Sequence, residues 1–204
     1  MFEYLREYYE KIIRELDEKY AIREQIYMKI REGIRSAANT IHALHNNDIP
    51  KAKEYLKHLE SLKNELESIK ETYPEIYYSN FLLSFMQEFV EAKLFFAIEM
   101  NEPLPDSSTL GVSHVAYLLG TCDLIGELRR KVIDLIRVKN LDRALELDNL
   151  MLTLYNLISL IELPDSILPG YKRKKDVARS VVERTHSEVT NAILLSNFLS
   201  KFKE

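Results

Sequence analysis

The stretch "REQIYMKIREGIRSAANTIHALHNNDIP", residues 23–50, decides the architecture. Within it Tyr27, Ile30, Ile34, Ala37, Ile41 and Leu44 recur in steps of three and four. That interval places side chains on one face of an α-helix. "NNDIP" ends the run, because a residue before proline is biased toward extended backbone. Reading back toward the N-terminus, the same period continues through Tyr20 and Leu16. One very long first helix over about 2–46 is predicted, with a weak point near 19–22.

The rest of the chain repeats the pattern. A second helix over about 51–72 carries Ala52, Tyr55, Leu56, Leu59, Leu62, Leu66 and Ile69 against a charged opposite face, and stops at "ETYPEI". A third spans about 75–100 and a fourth about 112–137, separated by the one conspicuous loop, "NEPLPDSSTLG". A fifth, about 141–162, contains "LMLTLYNLISLI"; with almost no polar face it is expected to be central. A last helix covers about 172–202. No strand-like alternation, internal repeat or linker competes. The expectation is an all-α antiparallel bundle of six to seven helices, forming a single domain over 1–204.

Composition agrees. Hydrophobic residues make up 46% and charged residues 29% of 204 residues, and 5 Gly with 6 Pro are too few for a turn-rich β fold. With 28 basic against 32 acidic residues the net charge is −4, so a nucleic-acid site would have to be local. The single Cys122 excludes an intrachain disulfide and lies among apolar neighbours, as a packed core residue of a reducing compartment does. The N-terminal run "MFEYLREYYEKIIREL" lacks the pattern of a signal peptide, and no charge-free window is long enough to span a membrane. A soluble, cytoplasmic protein is expected.

Two helices carry chemistry. In "SFMQEFVEAKLFF", residues 84–96, Glu88 falls on the stripe of Phe81, Phe85, Ala92 and Phe95, with Glu91 at its edge. In the fourth helix Asp123 and Glu127 continue a stripe that begins with Ala116 and Gly120, small residues that admit a close neighbour. An ionised carboxylate buried without a partner costs several kcal/mol, roughly. Spacing alone leaves two readings open: ion pairs to Arg129, Arg130 or Lys131, or a metal site. All-oxygen ligands favour Mg²⁺ or Mn²⁺ over zinc, and the absence of Glu-x-x-His argues against a di-iron centre. The all-α nucleoside triphosphate pyrophosphohydrolases pair E-x-x-E with E-x-x-D, whereas the second element here is D-x-x-x-E.

Arg31, Arg35, Ala38, His42 and His45 form a separate line on the first helix, about 100° round from its apolar face. It reads either as a solvated flank or as a phosphate-contacting stripe anchored by arginine. The dense basic run "GYKRKKD", residues 170–176, reads as a solvated helix start. No Ser-His-Asp arrangement, glycine-rich phosphate loop, CxxC or HExxH is present.

"MQEFVEAKLF" (86–95) followed by "VAYLLGTCDLIGELRR" (115–130) resembles the translin family, and within it the catalytic branch, translin-associated factor X. "LDEKYAIREQIYMKIREGIRSAANTIHALH" (16–45) is similar to that family's long first helix. The short loop before the fourth helix resembles that of archaeal-type members. The resemblance implies an all-α bundle of about seven helices, a hollow octamer enclosing single-stranded RNA, and a Mg²⁺-dependent endoribonuclease. Its acidic site would fall on Glu88, Glu91, Asp123 and Glu127. Translin itself lacks these acids and serves binding, so a non-catalytic scaffold is the alternative. The translin branch also has a basic, histidine-containing segment before the third helix, where this chain reads "YPEIYYSNFLLSF" (73–85). Arg31, Arg35, His42 and His45 are therefore the expected RNA contacts.

Overall fold

A computed structural model describes residues 2–201; Met1 and the expected end of the last helix at Phe202 lie outside the described residues. Eight helices run in order: α1 (Phe2–His45), α2 (Ile49–Glu67), α3 (Pro74–Tyr77), α4 (Asn80–Glu99), α5 (Ser107–Leu110), α6 (His114–Arg137), α7 (Leu141–Ser159) and α8 (Tyr171–Ser200). There is no strand among the described residues. The expected third helix is divided at Tyr78–Ser79, where Ser79 caps α4 by accepting from the Leu82 amide. The expected weak point near 19–22 does not break α1, which spans 44 residues, or about 66 Å at 1.5 Å per residue.

Short connections reverse the chain. Asn47, in left-handed backbone, leads to Asp48, which caps α2 through the Lys51 amide, with Pro50 in the first turn. Ser113 and Asn140 cap α6 and α7 in the same way. α1 packs on α2 and α4, α4 on α6, and α6 on α7 and α8.

The centre of the molecule is α4. Leu82, Phe85, Met86, Phe89, Val90, Leu94, Phe95 and Ile98 are all buried, because α1, α2 and α6 surround the helix. This corrects the expectation that the fifth predicted helix is central. α7 packs chiefly on α6 and α8, reaches α4 through the Arg143 hydrogen bond to the Ile98 carbonyl, and leaves Leu145, Leu152 and Leu157 exposed. The first part of α1 is an arm: from Phe2 to Ala21 only Ile12 is even partly covered, although Leu5, Tyr9, Ile13, Leu16 and Tyr20 lie along it.

Two glycines show how tightly the inner helices meet. A Cβ on Gly120 of α6 would stand 2.7 Å from the Gln87 carbonyl oxygen and 2.8 Å from Val90 Cβ. A Cβ on Gly33 of α1 would stand 2.2 Å from the Phe85 ring. Gly120 thus admits a helix, α4, and brings the acidic segments of α4 and α6 side by side.

Candidate functional site

Glu88, Glu91, Asp123 and Glu127 line one open cleft of about 650 Å³, together with Ala38, Asn39, Ile41 and His42 of α1 and Arg130 of α6. Three helices build it. α4 presents its two acids one turn apart, α6 presents Asp123 and Glu127 one turn apart, and the end of α1 closes the side. The close approach of α4 to Gly120 brings the two acidic pairs to face each other.

The four carboxyls sit in unlike surroundings. Glu91 is the deepest, 7% exposed, and makes no hydrogen bond or ion pair among the described residues. Burial, then the carboxylates of Glu88, Asp123 and Glu127, push its carboxyl up to about 9. Glu88 is half-buried and raised as well, by burial first and by Asp123 second. The expected order of depth on α4 is therefore reversed, because α6 covers the edge of the stripe on which Glu91 lies.

Asp123 is raised by burial, while Lys174 opposes the shift. The Lys174 ammonium, from the first turn of α8, donates to Asp123 Oδ2 and also to Gln87 Oε1 at 3.1 Å. Glu127 differs in sign. His45 Nε2 donates to its Oε2 at 2.6 Å, Arg130 stands 4.0 Å away, and the carboxyl is held below its ordinary value by His45 first.

The basic line of α1 divides. Arg31 and Arg35 are exposed and have no ion-pair partner among the described residues, and His42 is exposed at the cleft. The His45 side chain is only 3% exposed, packs on Phe95 at 5.0 Å, and has a buried Nδ1 without a hydrogen-bond partner. α6 lies over it, so it meets Glu127 instead of solvent.

Of the three cations offered as ion-pair partners, Arg129 pairs with Glu188 and Lys131 with Glu99, both away from the cleft. Arg130 alone reaches a site acid. Lys174 was not foreseen: it lies 51 residues from Asp123, inside a basic run that reads as a solvated helix start. Cys122 is buried with its thiol pushed up to about 12, which suits a packed core residue and not a nucleophile.

The donor set fits a hard divalent cation. It is all oxygen, and its deepest member is a buried carboxyl without an ion pair among the described residues, its burial outweighing the charge of Lys174. Glu88, Glu91 and Asp123 would hold the ion, with Glu127 at the His45 side. No group of three such side chains among the described residues is drawn together into a finished shell, and Lys174 takes Asp123.

The translin family profile matches residues 5–189. The chain belongs to the translin family. An uncharacterized protein of Methanocaldococcus jannaschii, MJ0175, is 29% identical over 184 residues, covering 89% of this chain and 81% of the relative. Among solved structures, AfC3PO shares 30% identity and a TM-score of 0.82 over 91% of this chain and 97% of its own. AfC3PO in complex with duplex RNA gives the same TM-score at 29% identity, over 91% of this chain and 96% of that one. Apo-NeC3PO matches at 25% identity with a TM-score of 0.74, over 88% and 96%. This translin-family chain thus shares its all-α fold with C3PO proteins along nearly their full length. No helix among the described residues is long and apolar enough to cross a membrane.

Proposed function

We propose that this translin-family protein is a Mg²⁺- or Mn²⁺-dependent endoribonuclease that cleaves single-stranded RNA inside a homo-oligomeric shell, an octamer. The observation that carries the reading is Glu91, a buried carboxyl without a partner, facing Glu88, Asp123 and Glu127 across one cleft. RNA as the polymer is supported by the AfC3PO complex with duplex RNA. Assembly is supported by the uncovered α1 arm and by Leu152, Leu157 and Leu160 at the end of α7.

When bound, a divalent cation supplies an activated water and charge stabilisation at the phosphoryl oxygens. The chain's own residues do the rest. Glu88, Glu91, Asp123 and Glu127 offer oxygen ligands, and Glu91 or Glu88 accepts the proton of the attacking water. His45 fixes Glu127 through its Nε2–H, as a positioning residue. Arg31, Arg35 and His42, successive on the exposed side of α1 that leads to the cleft, and Arg130 at its mouth, hold backbone phosphates.

The deciding experiment is Glu127→Gln with labelled single-stranded and duplex RNA, with Mg²⁺ or with chelator. Loss of cleavage with retained RNA binding is expected, and retained cleavage would sink the assignment. A mass of about 24 kDa by light scattering would remove the shell; multiples of 23.9 kDa are expected.

The ion pairs of Asp123 with Lys174 and of Glu127 with His45 favour a second reading, a non-catalytic RNA-binding scaffold. In that case the double change Asp123→Asn with Glu127→Gln shifts the melting temperature, and Mg²⁺ changes neither stability nor RNA integrity.

A further inference from the structure

We propose that Lys174 is the site's own counter-cation, and that a divalent metal must displace it from Asp123 to bind. The inference rests on the metal-dependent reading above. Three observations carry it. Lys174 crosses from the first turn of α8 to the α4–α6 seam and ends on two groups at once, Asp123 Oδ2 and Gln87 Oε1. Of the four acids, the two on α4 make no ion pair and feel only the charge of this same Lys174, so a metal at that end of the cleft would take Asp123 as its α6 ligand. Among the described residues the acids are not drawn together into a shell, and Asp123 is engaged by this lysine instead.

Within the basic run at the start of α8, Lys175 turns away to the Ile161 carbonyl and the Tyr171 ring, while Lys174 turns to the α4–α6 seam. Cations in the first turn of a helix oppose its dipole, and Lys174 is two-thirds covered with its charge turned inward. A divalent ion and an ammonium on one carboxylate repel each other strongly at such range. Gln87, being neutral, keeps the displaced amine nearby without competing for the metal. Metal affinity is then set by the difference between two cations for Asp123, and Lys174 prevents the acids from taking up a metal weakly or at the wrong place.

The test uses the full chain and Mn²⁺ as the probe. Lys174→Met keeps the alkyl stem and removes the competitor, so the Mn²⁺ dissociation constant from calorimetric titration should fall by about tenfold, the equivalent of one charge-assisted hydrogen bond that no longer has to break. Lys174→Arg keeps the charge and the grip on Asp123, so affinity should stay equal or weaken. In the unmodified protein, labelling with an amine-reactive ester, read by mass spectrometry against exposed Lys172, should rise at Lys174 when Mn²⁺ is added. Equal or weaker binding by Lys174→Met, or labelling of Lys174 that Mn²⁺ does not change, overturns the proposal while leaving the metal site intact. Absence of Mn²⁺ binding in both the wild type and Lys174→Met overturns the metal reading and this inference together.

Discussion

Replacing Glu91 by glutamine should stabilise the metal-free protein. In the folded chain the Glu91 carboxyl is pushed up to about 9, against 4.5 for an ordinary glutamate. Between those values the folded state holds a proton that the unfolded state has released, so stability falls as pH rises. At pH 7.5 the gap to the unfolded value is about three pH units, which at 1.36 kcal/mol each is about 4 kcal/mol. That is a ceiling, since a glutamate that swings toward the cleft mouth recovers hydration. Glutamine has the shape of the protonated acid and is neutral in both states, so the variant escapes this cost. For a chain of this size about 4 kcal/mol corresponds to a rise in Tm of roughly 8–16 °C. Scanning calorimetry in chelator at pH 5.0 and 7.5 checks it: a large gain at 7.5, nearly gone at 5.0. An equal gain at both pH values, or none at 7.5, refutes the argument that burial and neighbouring carboxylates govern this side chain.

Binding of Mn²⁺ at pH 7.5 should release protons, because the ion takes Glu91 as the carboxylate; titration in buffers of different ionisation enthalpy counts them, with about one expected per site. Gly120→Ala should lose about 1–2 kcal/mol in urea unfolding, overpacking outweighing the gain in helix propensity, and should weaken Mn²⁺ binding because α4 and α6 must part. Glu127→Gln should lower the stability of the metal-free protein by about 1 kcal/mol, since His45 then donates to a neutral oxygen; the loss should begin to fade as pH falls below 4.5, where the unfolded chain takes up a proton first, and vanish only once pH has passed the lower folded value at which Glu127 itself is protonated.

Most of the architecture was legible because it rests on local period. The three-and-four spacing of Tyr27, Ile30 and Ile34 needs no knowledge of partners, and caps such as Ser113 and Asn140 are written beside the helices they start. The juxtaposition of the acids was legible for the same reason: one turn separates Glu88 from Glu91 and Asp123 from Glu127, and Gly120 marks where a helix comes close. What failed depends on which helices surround which. The sequence of α7 holds most of the nearly unbroken apolar run of 150–161, but α7 packs chiefly on α6 and α8. Glu91 looks like a stripe edge until α6 lies over it. His45 sits on the same line as Arg31 and Arg35, yet the line passes under α6 before it ends. Lys174 carried no local signal, since one lysine among four basic residues has no distinguishing neighbour in the chain.

The arrangement of cations along the cleft ties these points to chemistry. At one end Glu127 has His45 and Arg130; next, Asp123 has Lys174; at the other end Glu88 and Glu91 make no ion pair among the described residues and feel only the charge of Lys174. The charge deficit therefore lies on α4, the most enclosed helix of the molecule, where burial makes an uncompensated carboxylate most costly. A sequence under selection for stability alone would place an apolar residue at position 91, as it does at Val90 and Ala92 on either side. The cost at Glu91 is met by a proton in the metal-free protein and would be met by a cation in its place. Under the proposed function such a cation would be held by carboxylates of α4 and α6 together, in a cleft whose open side carries Arg130 and His42 and whose approach along α1 carries Arg31 and Arg35. Under the proposed function a phosphodiester would satisfy both demands, its oxygens meeting the guanidinium groups outside and the metal within.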